Sequence, residues 1–130
     1  MEQITRTKTH TIFGQNVKTL SDLVRDAHNN AVDKGFYEDA PPKDFANVAA
    51  KLALVHSEVS EALEELRRYH NLNETYADGA GKPEGFPVEL ADACIRIFDL
   101  CGWLGVDLEA AVVRKMEFNA TRAHKHGKLA

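Results

Sequence analysis

The chain has few cysteines, and their spacing excludes a disulfide within one helix. Only two occur in 130 residues, Cys94 and Cys101, and both fall on one predicted helix. At the rise of an α-helix their Cα atoms would be about 10 Å apart, which is too far for a disulfide. The interpretation that this spacing favours is two buried thiols in a reducing compartment.

Long apolar runs and an excess of positive charge are also absent. No stretch of about 18 apolar residues is present to cross a membrane, and the first ten residues lack the apolar segment of a secretory signal. The formal charge of −4 argues against a surface made to bind nucleic-acid phosphates. We therefore expect a soluble cytoplasmic protein without a membrane or nucleic-acid partner.

Two common cofactor motifs are missing as well. Gly81 and Lys82 do not belong to a phosphate-binding loop, because the GxxxxGK[ST] spacing is absent and Pro83 follows the lysine. The Glu-x-x-His pair of di-iron helical bundles does not occur either. The hydrophobic content of 44% is nevertheless ordinary for one globular domain.

What is present is a series of helical patterns. Threonines alternate in an arm over residues 1–18, which favours extended backbone, although a loosely ordered terminus is an equal alternative. Helices are predicted from Thr19 or Ser21, either a plausible N-cap, to Gly35, over 49–69, over 88–104 and, with Asp107 as N-cap, over 108–123. A basic tail occupies 124–130. The sequence thus predicts an all-α domain over 19–123, similar to a four-helix bundle.

The second of these helices carries both an apolar stripe and an acidic strip. Its apolar residues recur at helical spacing and should form a buried face: Leu52, Val55, Val59, Ala62, Leu63 and Leu66. Glu58, Glu61 and Glu65 fall together beside that stripe. On the third helix, which is apolar around most of its circumference, the polar strip consists of Glu89, Asp92, Arg96 and Asp99.

Residues three apart on a helix are neighbours, so Glu58/Glu61 and Glu89/Asp92 would form two adjacent carboxylate pairs if the helices pack side by side. Two unit charges about 4 Å apart repel by roughly 4 kcal/mol at an effective dielectric near 20. A cation would relieve that repulsion, and oxygen ligands suit Mg2+, with Mn2+ as a possible substitute. The alternative is that the acids form a solvated helix face. For Arg96 we expect an ion pair with Asp92 or Asp99.

These motifs resemble the MazG-like family of all-α nucleoside triphosphate pyrophosphohydrolases. The family's ExxE, spacer and ExxD pattern reads here as Glu58-Val-Ser-Glu61 and Glu89-Leu-Ala-Asp92. The KMxxNxxR segment from Lys115 to Arg122 adds to the resemblance, which spans about residues 20–127.

The resemblance implies hydrolysis of a (deoxy)nucleoside triphosphate to the monophosphate and pyrophosphate, in nucleotide-pool cleansing, by a homodimer or homotetramer. The four acids would hold Mg2+ and Glu61 would also act as the base. Lys115 would have a catalytic role and would contact the substrate together with Asn119 and Arg122.

His28 and Tyr37 resemble residues that surround the base in the family. The alternative for these two is a packed helix side chain and a turn anchor, while Phe36, Phe45 and Phe86 are expected in the core. Two other functions stay open: a non-enzymatic helical interaction module and a different metal-dependent phosphohydrolase.

Overall fold

The computed structural model describes residues 9–12, 15–69 and 72–127, and within them the chain is mostly helical, as expected. Residues 1–8, 13–14 and 128–130 of the predicted arm and tail lie outside that description. The elements, in chain order, are β1 (Thr9–Ile12), β2 (Gln15–Lys18), α1 (Leu20–Asp33), α2 (Phe45–Tyr69), β3 (Tyr76–Ala77), β4 (Pro83–Glu84), α3 (Phe86–Leu104), α4 (Leu108–Ala120) and a 3-10 helix, His124–Gly127. The strands form two antiparallel hairpins, β1 with β2 and β3 with β4.

Local capping explains where the helices begin. Thr19 caps α1 in a capping box with Asp22, and Asp107 caps α4 by accepting a hydrogen bond from the backbone N–H of Ala110. Asp44 accepts from the N–H of Asn47 at 2.9 Å, so α2 begins at residue 45, four residues earlier than predicted. The predicted cap positions Thr19 and Asp107 are both confirmed.

The helix α3 lies at the centre of the packing and contacts both α2 and α1, whereas α4 packs mainly on α1. The contact between α4 and α1 includes the Glu109 side chain, which accepts a hydrogen bond of 2.8 Å from the backbone N–H of Ser21. An acid at the first turn of α1 is favourable, because unpaired N–H groups point out of a helix N-terminus. Because α3 packs on α2, the carboxylates of these two helices meet at one helix interface.

A glycine allows the close approach of α1 and α3. A Cβ atom added to Gly102 would lie 2.5 Å from the Cβ of His28 and 3.4 Å from the carbonyl oxygen of Val24. Any other residue would push the helices apart at this level. At the end of α3, Gly105 adopts a left-handed conformation with φ of 73°, and this terminates the helix.

Of the apolar stripe of α2 that was predicted to be buried, Ala62 is buried and Val55 is half-buried, but the prediction is wrong for the other four residues in the single chain. Leu52, Val59 and Leu63 are each about half exposed, at 47%, 52% and 48%. Between residues 51 and 68, the buried or half-buried positions of α2 are Lys51, Val55, Glu58, Ala62 and Glu65. The reason is geometric: α3 covers only one side of α2, and the polar strip faces that side.

Three other expectations about burial are also wrong. Phe36 and Phe45 are 75% and 89% exposed, because they stand in the α1–α2 turn and at the first residue of α2. Cys94 is exposed on α3, although Cys101 is buried and both thiols are free.

Among the residues described, no helix has the length and apolar character that a membrane crossing requires.

Candidate metal centre

Three carboxylates converge where α2 packs on α3. Glu58, Glu89 and Asp92 each offer an oxygen atom, and these atoms lie within 4.8 Å of one another. Glu58 and Asp92 are half-buried and Glu89 is buried, with 8% of its surface exposed. The helical spacing of three between Glu89 and Asp92 places both on the side of α3 that faces α2.

Burial and mutual repulsion disfavour the ionised forms of these groups. The pKa of Glu89 is raised from 4.5 to about 7, first by burial and then by the charges of Asp92 and Glu58. The pKa of Asp92 is raised by burial and by the charge of Glu58. A positive charge between these side chains would favour their ionised forms and so lower the pKa of both groups.

The interface already contains one cation, the guanidinium of Arg96. Its Nε donates a hydrogen bond of 2.8 Å to Oε1 of Glu58. The expected partners were Asp92 and Asp99, so that prediction is wrong. The two oxygens of Asp99 accept hydrogen bonds from other residues, and Arg96 turns across the interface to α2 instead.

Glu61 lies beside this cluster and is not one of the three converging residues. It is exposed and borders a small cavity of about 130 Å³ on the other side of Glu89. The same cavity contains a second acidic group, because oxygens of Glu65, Glu84 and Glu89 also lie within 4.8 Å of one another. Tyr76 donates a hydrogen bond of 2.7 Å to Glu65 there.

The chemistry of this donor set fits a hard divalent cation. All ligand atoms are carboxylate oxygens, they come from two rigid helices, and the buried member Glu89 has a raised pKa. Magnesium binds in proteins through one or two carboxylates together with waters and substrate phosphates. Three converging carboxylates leave coordination positions open for a phosphorylated ligand.

The three residues of the KMxxNxxR segment lie on and just after α4, away from the carboxylates. Lys115 Nζ stands 5.1 Å from the ring centre of Phe118, and Arg122 stands 5.6 Å from the same ring. Asn119 is half-buried. Neither cavity that borders the carboxylates has a lining residue from α4. Within one chain, the structure does not bring these residues to the acidic cluster.

His28 and Tyr37 come together on a shared carboxylate. The Tyr37 hydroxyl donates to Asp99 at 2.7 Å, and Nδ1 of His28 lies 2.9 Å from the other oxygen of Asp99. Because an ionised carboxylate only accepts, Nδ1 carries the hydrogen. Burial, followed by the hydrogen bond to Asp99, raises the pKa of Tyr37. The Tyr37 ring lies edge-on to His28 and 5.8 Å from Trp103.

Lys51 completes this network from α2. Its Nζ lies 3.8 Å from Asp99, 4.5 Å from the Tyr37 ring centre and 5.2 Å from the Trp103 ring centre. A cation above two aromatic faces is attracted by both. Lys51 and Asp99 also line a cavity of about 280 Å³, which is bordered at its other end by Glu58 and Asp92.

Sequence reasoning gave no role to Lys51 or Glu84, and it named Asp99 only as a member of the polar strip of α3 and as a possible partner of Arg96. Lys51 could have been found, because it lies seven residues before Glu58 and so falls on the same helix face. Asp99 has the same relation to Asp92. Glu84 carries no helical signal, because it lies on the strand β4.

Comparison of the chain with protein-family models, curated proteins and solved structures finds no match. The geometry of the carboxylate cluster is therefore the basis for a functional proposal.

Proposed function

We propose that this chain is a Mg2+-dependent nucleoside triphosphate pyrophosphohydrolase with a MazG-like fold. The reaction is hydrolysis of a (deoxy)nucleoside triphosphate to the monophosphate and pyrophosphate, and its role is the cleansing of the nucleotide pool. The observation that carries the proposal is the convergence of Glu58, Glu89 and Asp92 at one helix interface. Their residue types and spacing are those of the ExxE and ExxD pattern that the sequence resembles.

In this proposal Glu58, Glu89 and Asp92 hold the cation, and Glu61 joins them when substrate binds. When bound, Mg2+ would orient a triphosphate and lower the pKa of an attacking water. Glu61 would act as the base, because its carboxylate is exposed to solvent and borders the same small cavity as Glu89. Mn2+ can replace Mg2+, since it accepts the same oxygen ligands.

The active form in this proposal is a homodimer or homotetramer. Exposed leucine and valine side chains run along α2, and Val113 and Met116 of α4 are 50% and 65% exposed. Burying such faces against a second copy would stabilise the assembly through the hydrophobic effect. It also offers a route for Lys115, Asn119 and Arg122 of one copy to reach the carboxylates of another, where they offset charge on the phosphates.

Product analysis with a matched pair of variants tests this function. Purified protein is incubated with Mg2+ and a panel of normal and damaged nucleoside triphosphates, and pyrophosphate and orthophosphate are measured separately. We expect pyrophosphate and monophosphate, a loss of at least 100-fold in rate for Glu58→Gln, and no loss for Glu117→Gln, which changes an exposed glutamate of α4.

The alternatives give different results in the same assay. Orthophosphate without pyrophosphate would contradict the proposal and support another metal-dependent phosphohydrolase. Folded protein that forms neither product, with or without Mg2+, would contradict it in favour of a helical interaction module. The exposed apolar faces of α2 and α4 are the observation that favours this last alternative.

A further inference from the structure

The cavity between α1, α2 and α3 has two chemically different ends. One end is formed by Glu58, Asp92 and Arg96, and the other by Phe36, Lys51 and Asp99. Its volume of about 280 Å³ lies at the lower limit of cavities that take small ligands. A ligand whose phosphates lie at the carboxylates would extend its remaining part towards Lys51 and Asp99.

A larger cavity of about 370 Å³ lies between α1, α3 and the start of α4, but it offers less to a ligand. It is separate from the acidic cluster, and the cation on its wall, Arg25, already forms ion pairs with Asp22 and Asp26. The cavity between α1, α2 and α3 is therefore the better candidate for a ligand site.

Phe36 supplies an exposed aromatic ring to the cavity between α1, α2 and α3. It is 75% exposed although it lines the cavity wall. Among the described residues no ring pair includes Phe36, whereas the next residue, Tyr37, packs against His28 and Trp103. An exposed aromatic ring beside a cavity is suited to stacking on a flat heterocycle, and such stacking does not depend on which base is present.

Lys51 supplies hydrogen-bond donors to the same space. Its side chain is 25% exposed, and its ammonium is held over the rings of Tyr37 and Trp103 and 3.8 Å from Asp99. At 3.8 Å the contact with Asp99 is too long for a hydrogen bond, and among the described residues the ammonium has no other hydrogen-bond partner. Three N–H donors in a fixed position can bind a carbonyl oxygen or ring nitrogen. The neighbouring oxygens of Asp99 can accept from an N–H group.

We propose that Phe36 and Lys51 form the nucleobase subsite of this protein, in which Phe36 stacks on the base and Lys51 donates a hydrogen bond to an acceptor on the base edge. Asp99 is a positioning residue, because it fixes the Tyr37 ring on which the Lys51 ammonium rests. The inference relies on the proposed function, which places phosphates at Glu58 and Asp92. It assigns His28 and Tyr37 to the wall behind Lys51.

Binding measurements without turnover test this subsite. Nucleoside monophosphates and ribose 5-phosphate, which lacks a base, are titrated into the protein with Mg2+ by calorimetry. We expect Phe36→Leu and Lys51→Met each to weaken monophosphate binding by about 10-fold and to leave ribose 5-phosphate binding unchanged, since each removes one base contact. Trp103, the only tryptophan in the chain, gives a second readout through its fluorescence.

Matched controls separate the subsite from general effects. Phe45→Leu changes another exposed phenylalanine, and Lys43→Met removes an exposed lysine; neither residue lines the cavity, and neither change should alter monophosphate binding. Equal binding by wild type and both cavity variants would overturn the inference. An equal loss of ribose 5-phosphate binding would overturn it as well, because the residues would then contact phosphate or sugar.

The result of this test can be distinguished from the result of the test of the proposed function. Triphosphate hydrolysis with unchanged kcat/KM in Phe36→Leu and Lys51→Met would contradict the subsite and leave the hydrolase intact. Base-dependent binding that is lost in both variants, in a protein that forms no pyrophosphate, would support the subsite and contradict the hydrolase.

Discussion

Replacing Glu89 by glutamine should stabilise the metal-free protein at neutral and alkaline pH and abolish its response to Mg2+. Glu89 is buried, and its pKa in the folded protein is about 7 instead of 4.5. The folded state therefore binds the proton more tightly than the unfolded state. The free energy of unfolding contributed by this group is fully present below about pH 4.5 and is lost as pH rises through about 7.

The size of the effect follows from that difference in pKa. About 2.5 pH units at 1.36 kcal/mol each give an upper limit of about 3 kcal/mol at pH 8. The coupling to Asp92 and Glu58 spreads part of this energy over the other carboxylates, so we expect about 1–3 kcal/mol. Glutamine is neutral and can donate a hydrogen bond to Glu58, as the protonated acid does, so Glu89→Gln should keep the fold.

Urea unfolding measures this directly. The free energy of unfolding is determined at pH 5, 6, 7 and 8 in a chelator, at one protein concentration, and again with Mg2+. Without metal, wild type should lose stability between pH 5 and pH 8, whereas Glu89→Gln should not. Added Mg2+ should stabilise wild type by about 2.7 kcal/mol at 100 times its Kd and leave the variant unchanged.

The control is Glu117→Gln, which removes an exposed charge of α4 and should follow the wild-type pH profile. The reasoning would be refuted if metal-free Glu89→Gln were less stable than wild type at pH 8. A wild-type stability that stays constant between pH 5 and pH 8 would refute it as well.

Three further predictions follow from the packing. Gly102→Ala should lower the free energy of unfolding by about 1–3 kcal/mol, because its Cβ would lie 2.5 Å from the Cβ of His28. The control is Gly79→Ala, whose Cβ would have nothing within 4 Å. Equal urea midpoints for the two variants would contradict the prediction. Arg96→Met should destabilise the metal-free protein and tighten Mg2+ binding in calorimetry, because it removes the cation that competes for the carboxylates; weaker binding would contradict it. Leu63→Glu should shift the mass in sedimentation equilibrium towards the monomer, since it places a charge on the exposed face of α2, and an unchanged mass would count against that face as the interface.

The helices themselves could be predicted because their signals are local. Thr19 and Asp107 cap helices where the sequence places them, since a side-chain oxygen next to free N–H groups acts within one turn. The start of α2 was predicted four residues late, because the cap residue Asp44 directly follows the Pro-Pro-Lys turn and the apolar pattern begins only later.

The direction in which each helix face points could not be read from its pattern. The stripe with Leu52, Val59 and Leu63 was expected in the core, but α3 covers the polar side of α2 in the single chain. Periodicity shows that two faces differ, and it does not show which of them meets a neighbour from the same chain.

The candidate site divides in the same way. The spacing of three within each acidic pair determined that Glu89 and Asp92 share one face of α3, because that follows from helix geometry alone. Only the packing of α2 on α3 decided that Glu58 joins them while Glu61 stays outside, and that Lys51 reaches Asp99. Local hydrogen bonding and side-chain periodicity fix a helix, whereas contacts between distant residues depend on the rotation and crossing of whole helices, which no single segment encodes.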